Sequence, residues 1–529
     1  MTRLPVLGIL AAALLSTTTL ADAQVLHRGN GGEPQTLDQA QTSINVEAFI
    51  LKDLYEGLVI YSASGEVIPG TAESWEVSED GTVYTFKIRD DANWSNGDPV
   101  VAEDFVYSMR RLQDPETAAG YANLLYPIKN AEAVNGGDML VDQLGVRAVD
   151  DKTLEITLER PTPFFIELLT HQTGLPVHPA TVEAEGSNFV RPGTMVSNGA
   201  FTLAAQVAND HIRVEKNEEY WDAENVQLEA VMFYPIDDEA ASQRRFQAGE
   251  LDVVLNFSPD QLEFLRGQFG EEQVRVAPRL STEYYAFDTR TAPFDNPDVR
   301  RALSMAIDRD FLSREIFQGA RLPQYTMVPP GVGDYGDPSE PDFAAMDQLD
   351  REDEALRLME EAGFGEGGQP LTIEIRYNTN TAHEQVATAI ADMWRTLFGA
   401  TVTLTNQDVA SHYAYLQEGG AFNVARAGWI GDYADPENFL ALATTANGTF
   451  NYSKWSNSDY DRLMADSYNE QDVAARMAIM HEAEAILSAE QPVAPLLNSA
   501  SLWLVSDRVS GWEDNAKDDH LSKWLTVNR

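Results

Sequence analysis

The sequence predicts a mixed α/β protein, on three observations. Strand-type alternation of apolar and polar residues recurs along the whole chain, and helix-type spacing of apolar residues fills the stretches between. No Gly/Ser- or Pro-rich linker and no repeat of fixed period divides the 529 residues into separate modules. With 43% hydrophobic and 9% aromatic residues the composition is that of a packed protein, and at roughly 100–200 residues per domain the length suits about three domains. Several domains without linkers imply domains woven together by more than one chain crossing.

Taken in order, Trp75-Glu76-Val77 and the run 82–89 flank Ser78-Glu79-Asp80-Gly81, a hairpin turn with glycine where φ turns positive. Tyr84, Phe86 and Ile88 alternate with Thr85, Lys87 and Arg89, so one face of that strand is buried. Leu154, Ile156 and Leu158 repeat the pattern after Asp150-Asp151, as do Leu371, Ile373, Ile375 and Tyr377 further on. Asn296 is placed to cap a helix that has Pro297 at its first position, with Val299, Leu303, Ile307 and Phe311 following at spacing four. Another helix between 382 and 397 puts Val386, Ile390, Met393, Trp394 and Leu397 on one face, where Trp394 reads as core.

The charge balance, 37 Lys+Arg against 84 Asp+Glu for a net −47, argues against a nucleic-acid partner and against anionic membrane surfaces. The absence of cysteine removes disulfide scaffolds, thiolate metal sites, cysteine nucleophiles and lipid attachment through an N-terminal cysteine. At the start, Arg3 precedes a 12-residue apolar stretch from Leu4 to Leu15, and Ala21-Asp22-Ala23 offers a small-x-small cleavage pattern. Residues 1–23 therefore read as a signal peptide, and the mature protein, from about Gln24, as exported, soluble and unanchored. The apolar stretch is too short to span a bilayer.

Enzyme motifs are missing. The eight histidines are scattered, no HExxH occurs, and His481-Glu482-Ala483-Glu484 lacks the second histidine of a helical zinc site. There is no GxSxG elbow and no GxxxxGK[ST] loop. Gly363 to Gly368 matches GxGxxG by its letters, but it follows a helix-like stretch and precedes a strand, the reverse of what a dinucleotide site needs. It reads as a helix C-cap and loop. The expectation is a protein without catalytic residues, bound metal or cofactor.

One stretch stands apart, Ala425 to Phe439, which sets Arg426 and Asp432 six residues apart around Gly428-Trp429-Ile430 and then turns at Asp435-Pro436. Small residues let another backbone approach, an extended segment offers its N–H and C=O groups for strand addition, and the two charges suit the ends of a zwitterion. Taken alone, the same letters equally fit a structural salt bridge beside a core tryptophan.

The stretch resembles the ligand-binding segment of the periplasmic oligopeptide-binding proteins, the large peptide receptors of ABC importers within solute-binding protein family 5. The similarity runs over essentially the whole mature chain. It includes Arg28 to Asp38, Asp53-Leu54-Tyr55-Glu56-Gly57-Leu58, Ala72-Glu73-Ser74-Trp75, Trp94 to Val100, Asp104 to Ser108, Asn198-Gly199-Ala200-Phe201, Tyr220-Trp221 and Pro293 to Arg300.

The resemblance implies a periplasmic-binding-protein-like fold of two α/β lobes joined by a hinge, with an extra α/β domain. Lobe I would be discontinuous (24–54, 182–280 and 498–529), the extra domain would span 55–181 and lobe III 281–497. By the same resemblance, Asp432 would pair with a peptide's α-amino group, and Arg426 and His383 would receive the C-terminal carboxylate of peptides of different length. Gly428, Trp429 and Ile430 would pair with peptide backbone, Ser43, Ile44 and Asn45 would form the strand facing them, and Tyr121 and Asn256 would line the pocket.

The chain departs from the family pattern at Ser281 and Ile430, which stand where enteric members have a cysteine pair. It departs again at Phe317 in place of a lysine and at Ser43 in place of a glutamate. The function implied is a monomeric periplasmic receptor that delivers short peptides to the permease subunits of an ABC importer. The alternatives are receptors of the same fold for murein peptides, opines, sugars or metal chelates.

Overall fold

A computed structural model describes residues 24–42, 44–365 and 367–528. Residues 1–23, Ser43, Glu366 and Arg529 lie outside the described residues, and with them the expected signal peptide and one expected pocket residue.

Twelve strands form one long sheet: β1 (Val25–Gly29), β2 (Phe201–Val207), β3 (His211–Lys216), β4 (Ala230–Tyr234), β5 (Val253–Leu255), β6 (Val274–Pro278), β7 (Ser281–Phe287), β8 (Arg321–Pro323), β9 (Thr372–Asn378), β10 (Thr401–Gln407), β11 (Val424–Ile430) and β12 (Val493–Val505). Their order is β10-β9-β11-β7-β12-β5-β1-β4-β3-β2, with β6 and β8 also paired to β12. The 13-residue β12 belongs to both halves: its first part pairs with β7 and its last part with β5 and β6. The chain crosses a second time between β6 and β7, where only Arg279 and Leu280 separate the strands. Two crossings of extended chain with no helix between them are the geometry of a hinge.

The half carrying β7 and β9–β11 is packed on both faces at its centre, where the neighbouring Tyr284 and Tyr285 of β7 are both buried, one in each core. One face packs on the helices Pro297–Met305, Gln348–Glu361 and Thr381–Phe398, around Val299, Leu303, Ile390 and Trp394. The other packs on Ser458–Asn469 and Val473–Glu490. Trp394 is fully buried and its indole N–H donates to the Leu303 carbonyl at 3.0 Å, as a core reading requires. A separate four-stranded antiparallel sheet, in the order Ala72–Val77, Val83–Ile88, Thr153–Thr157, Val146–Asp150, stands between residues 55 and 181. The expected hairpin is its first turn, with Gly81 at φ +68° and its amide bonded to the Ser78 carbonyl at 2.8 Å.

The helix expected to run from Pro297 through Phe311 does not. Asn296 caps it as expected, accepting from the Asp298 amide at 3.0 Å, but it ends at Met305. Asp308 then caps a new turn by accepting from the Phe311 amide at 2.8 Å, which swings Phe311 outward to 39% exposure. A side-chain oxygen offered mid-helix competes with the helical ladder, and here it wins. The described residues of this stretch, Gly363 to Gly365, Gly367 and Gly368, form the expected cap and loop between the helix Gln348–Glu361 and β9.

Several motif residues are structural. Glu56 accepts from the Trp221 indole at 2.7 Å, is bonded by the Tyr220 hydroxyl, and pairs with Lys523 at 3.3 Å, joining three remote segments. Gly199 packs against the Leu54 backbone, where an added Cβ would come within 2.7 Å of a carbonyl carbon. No helix among the described residues is long and apolar enough to cross a membrane.

Candidate functional site

β11 pairs with β7 along its whole length, but with β9 only at Val424 and Ala425. Beyond Ala425 one edge of β11 is therefore open. Antiparallel strands bond through alternate residues. The Gly431 amide donates to the Leu280 carbonyl at 2.8 Å, so the bonded set is 427, 429 and 431. The amides and carbonyls of Gly428 and Ile430 then turn to the open edge. Of the three consecutive residues expected to pair with a ligand, these two turn their backbone groups to the open edge. Trp429 faces the other way: its backbone belongs to β7, its indole donates to Asn438 at 2.6 Å, and its ring meets Phe450 edge-on at 5.2 Å.

The strand ends at a fixed turn. An added Cβ at Gly431 would sit 2.9 Å from the Phe439 ring, so glycine permits the close packing there. The buried Asp435 carboxylate then accepts two bonds from Arg476, at 2.6 and 2.7 Å, and one from the Glu437 amide at 2.9 Å. The bend so anchored holds Asp432 out into a cleft of about 530 Å³, whose wall includes Ile44, Asn45, Tyr121, His171, Ile430 and Asp432. Tyr121 donates to Asp432 Oδ1 at 2.6 Å across 311 residues of sequence. The Tyr121 ring stacks on His171 at 5.2 Å, and burial pushes His171 down to about 3, so it is neutral at pH 7. Asp432 is open to the cleft and walled by protein behind. That partial desolvation lifts its carboxyl above the usual range, and the Tyr121 hydrogen bond offsets part of the rise.

At the other end of the open edge Arg426 is largely covered. Its guanidinium donates to the Tyr413 hydroxyl at 3.0 Å and to Asn378 Oδ1 at 3.3 Å, and lies 3.8 Å from Glu283. Gly428 makes room for it, since a Cβ there would lie 3.2 Å from Arg426 Nη2. The Arg426 carbonyl is taken by the buried His412 ring at 2.9 Å. His383 joins through Asn378, whose carbonyl lies 3.3 Å from its Nδ1, and burial together with Arg426 holds it down to about 4. It is thus a neutral imidazole at pH 7.

Of the expected pocket residues, the structure brings Ile44, Asn45, Tyr121, Ile430 and Asp432 to one cleft and sets Arg426 and His383 together at the far end of the edge. Ile44 and Asn45 are not the expected strand. Ile44 is the extended N-cap of the helix Asn45–Leu54, and Asn45 is its first residue. Asn256 closes β5 with φ +61° and lies outside the cleft wall. Tyr413, Asn378, Glu283 and His171 escaped the sequence reading, because each reaches the site across strands or domains and carries no local pattern. No cluster of side chains that could hold a metal ion occurs among the described residues.

Residues 66–451 match the family model for the middle region of bacterial extracellular solute-binding proteins, family 5. The periplasmic murein peptide-binding protein MppA of Escherichia coli is 37% identical over 96% of this chain and 94% of its own length. The periplasmic oligopeptide-binding protein OppA of Salmonella typhimurium is 37% identical over 97% and 94%. Among solved structures, the unliganded open form of MppA superposes with a TM-score of 0.91, 36% identity and coverage of 96% of this chain and 98% of that one. Haemophilus influenzae OppA in complex with RPPGFSPFR gives 0.69, with 33% identity and coverage of 96% and 99%. At nearly equal identity, the chain superposes better on the unliganded open form than on the peptide complex. These relatives are binding proteins. By sequence and by fold, the chain belongs to the family 5 extracellular solute-binding proteins.

Proposed function

We propose that this protein is the periplasmic receptor of an ABC importer and captures short peptides between its lobes. The observation that carries the reading is the open edge of β11, with Gly428 and Ile430 turned outward and opposite charges at its two ends. A peptide would add there as a strand, its backbone bonding to those two residues. Its α-ammonium would pair with Asp432, and its carboxylate would meet Arg426 with the neutral His383 as a hydrogen-bonding neighbour. The six residue steps from Arg426 to Asp432 span roughly 20 Å at about 3.4 Å each, and the side chains' reach reduces this to an extended peptide of about three to five residues. Main-chain pairing gives affinity without reading side chains, so broad sequence tolerance follows.

Lobe I (24–54, 182–280, 498–529), the extra domain (55–181) and lobe III (281–497) would close by bending at the two crossings. In support, the four-stranded sheet lies wholly within 55–181, and β6–β7 and β12 cross between residues 278 and 281 and between 497 and 500. Ile44, Asn45 and Tyr121 would wall the closed site. Export through a cleaved signal peptide, a monomeric state, absence of catalysis and delivery to permease subunits complete the reading. Mass spectrometry of small molecules released from the denatured, purified protein tests it. Mixed peptides of about two to five residues are expected, and sugars or a metal chelate in their place would overturn it.

A further inference from the structure

The peptide reading uses Arg426 and leaves other charges on the same sheet face unaccounted for. Glu283 stands opposite Gly428 in the β7–β11 register, so its side chain rises on the face that carries Gly428 and Arg426. From the far side of β12, Arg321 of β8 reaches back over the sheet and bonds Glu283 Oε1, with its guanidinium 4.1 Å above the Phe317 ring. Arg426 Nη2 lies 3.8 Å from the same oxygen. Two guanidiniums therefore share one carboxylate oxygen, in a row only 13%, 14% and 25% exposed at Arg426, Glu283 and Arg321.

The neighbouring charges do not alter the balance. Arg376 has its own partner, Glu374, at 3.6 Å, and His383 and His412 are both held below the usual histidine range by burial. The row keeps one positive charge in excess within a chain of net charge −47, and Arg426 Nε is buried without a partner. A half-buried cation in excess is stabilised by an arriving anion, and paired guanidiniums match the geometry of a carboxylate.

We infer that Arg321 is a ligand-binding residue: with Arg426 it clamps a carboxylate of the bound peptide, while Glu283 is the chain's own occupant of that clamp in the open molecule. The inference rests on the peptide reading above. Glu283 holds both guanidiniums in place and competes with the ligand for them. The carboxylate belongs either to the peptide's C-terminus or to an acidic side chain, and the ligands of the test separate the two.

Calorimetry on the full-length protein would compare trialanine, trialanine amide and an amide carrying one glutamate side chain. Arg321→Gln is expected to weaken the carboxylate-bearing ligand about tenfold while trialanine amide stays within about twofold. Glu283→Gln is expected to tighten that same ligand several-fold, a gain that a misfolded variant could not imitate. Loss on trialanine alone assigns the clamp to the C-terminus, and loss on the glutamate peptide assigns it to a side chain. Equal weakening of all three ligands by Arg321→Gln, no weakening of any, or weaker binding by Glu283→Gln would overturn the inference. Wild-type protein that binds none of the three would overturn the peptide reading itself.

Discussion

The two ends of the open β11 edge are built on opposite plans. At one end the Asp432 carboxylate projects into an open cleft with one hydrogen bond, from Tyr121. At the other, Arg426 is embedded among Tyr413, Asn378, Glu283 and His383, which come from four other segments. A lone reader would make its end of the site all-or-none, since the other carboxylates of that cleft, Asp518 and Asp519, are taken by Trp503 and His520 and by Lys52. A shared network tolerates a displaced or absent charge, and that suits an end where the ligand's length varies.

The largest expected effect follows from the first plan. Asp432→Ala should cost peptides with a free amine about 1.5–3 kcal/mol, the scale of a charged hydrogen bond, measured by calorimetry. Unchanged affinity would break the comparison at its simpler end. Arg426→Gln should cost less, roughly 1–2 kcal/mol toward free-acid peptides, because a neighbouring cation remains. A loss as large as that of Asp432→Ala would mean that the far end is no network.

A smaller effect sharpens the Asp432 end. The amine pairs only with the ionised carboxylate, and the Asp432 carboxyl is raised in the free protein, so affinity falls as pH drops through that raised value. Tyr121→Phe removes the bond that favours ionisation and lifts the carboxyl further. Between about pH 7 and pH 4, calorimetry should show the variant losing affinity at higher pH than the wild type. A pH profile that does not move would mean that Tyr121 leaves Asp432 untouched.

The smallest effect lies at His383. Its ring should titrate near 4, well below the 6.5 of an unperturbed histidine, in an NMR pH titration. Glutamine in its place should change peptide affinity by at most about 1 kcal/mol, the worth of a neutral hydrogen bond. A midpoint near 6.5 would leave the ring partly protonated at pH 7 and move the network's charge balance.

What the sequence disclosed divides along the same line. The Asp432 end is legible because it is local: Gly431, Asp432 and the Asp435-Pro436 turn lie in one short stretch, as does the Gly81 hairpin. The helices around Trp394 and Asn296 were legible from spacing and capping. The Arg426 network was not, since Glu283, Asn378 and Arg426 meet only through strand register and Arg321 reaches them over another strand. The end of the helix near Met305 was missed because apolar spacing carried on through Phe311 while Asp308 supplied a competing cap. Trp429 is expected at the ligand through the family resemblance; alternation along β11 gives its backbone to β7 and turns its ring toward Asn438 and Phe450.

The most direct test of the central claim, that one end has a single reader and the other a shared one, is calorimetry of the wild-type protein with three forms of one tripeptide: free at both ends, N-acetylated and C-amidated. The account predicts that acetylation weakens binding more than amidation does, with both weaker than the free peptide. An acetylated peptide that binds as well as the free one would contradict it.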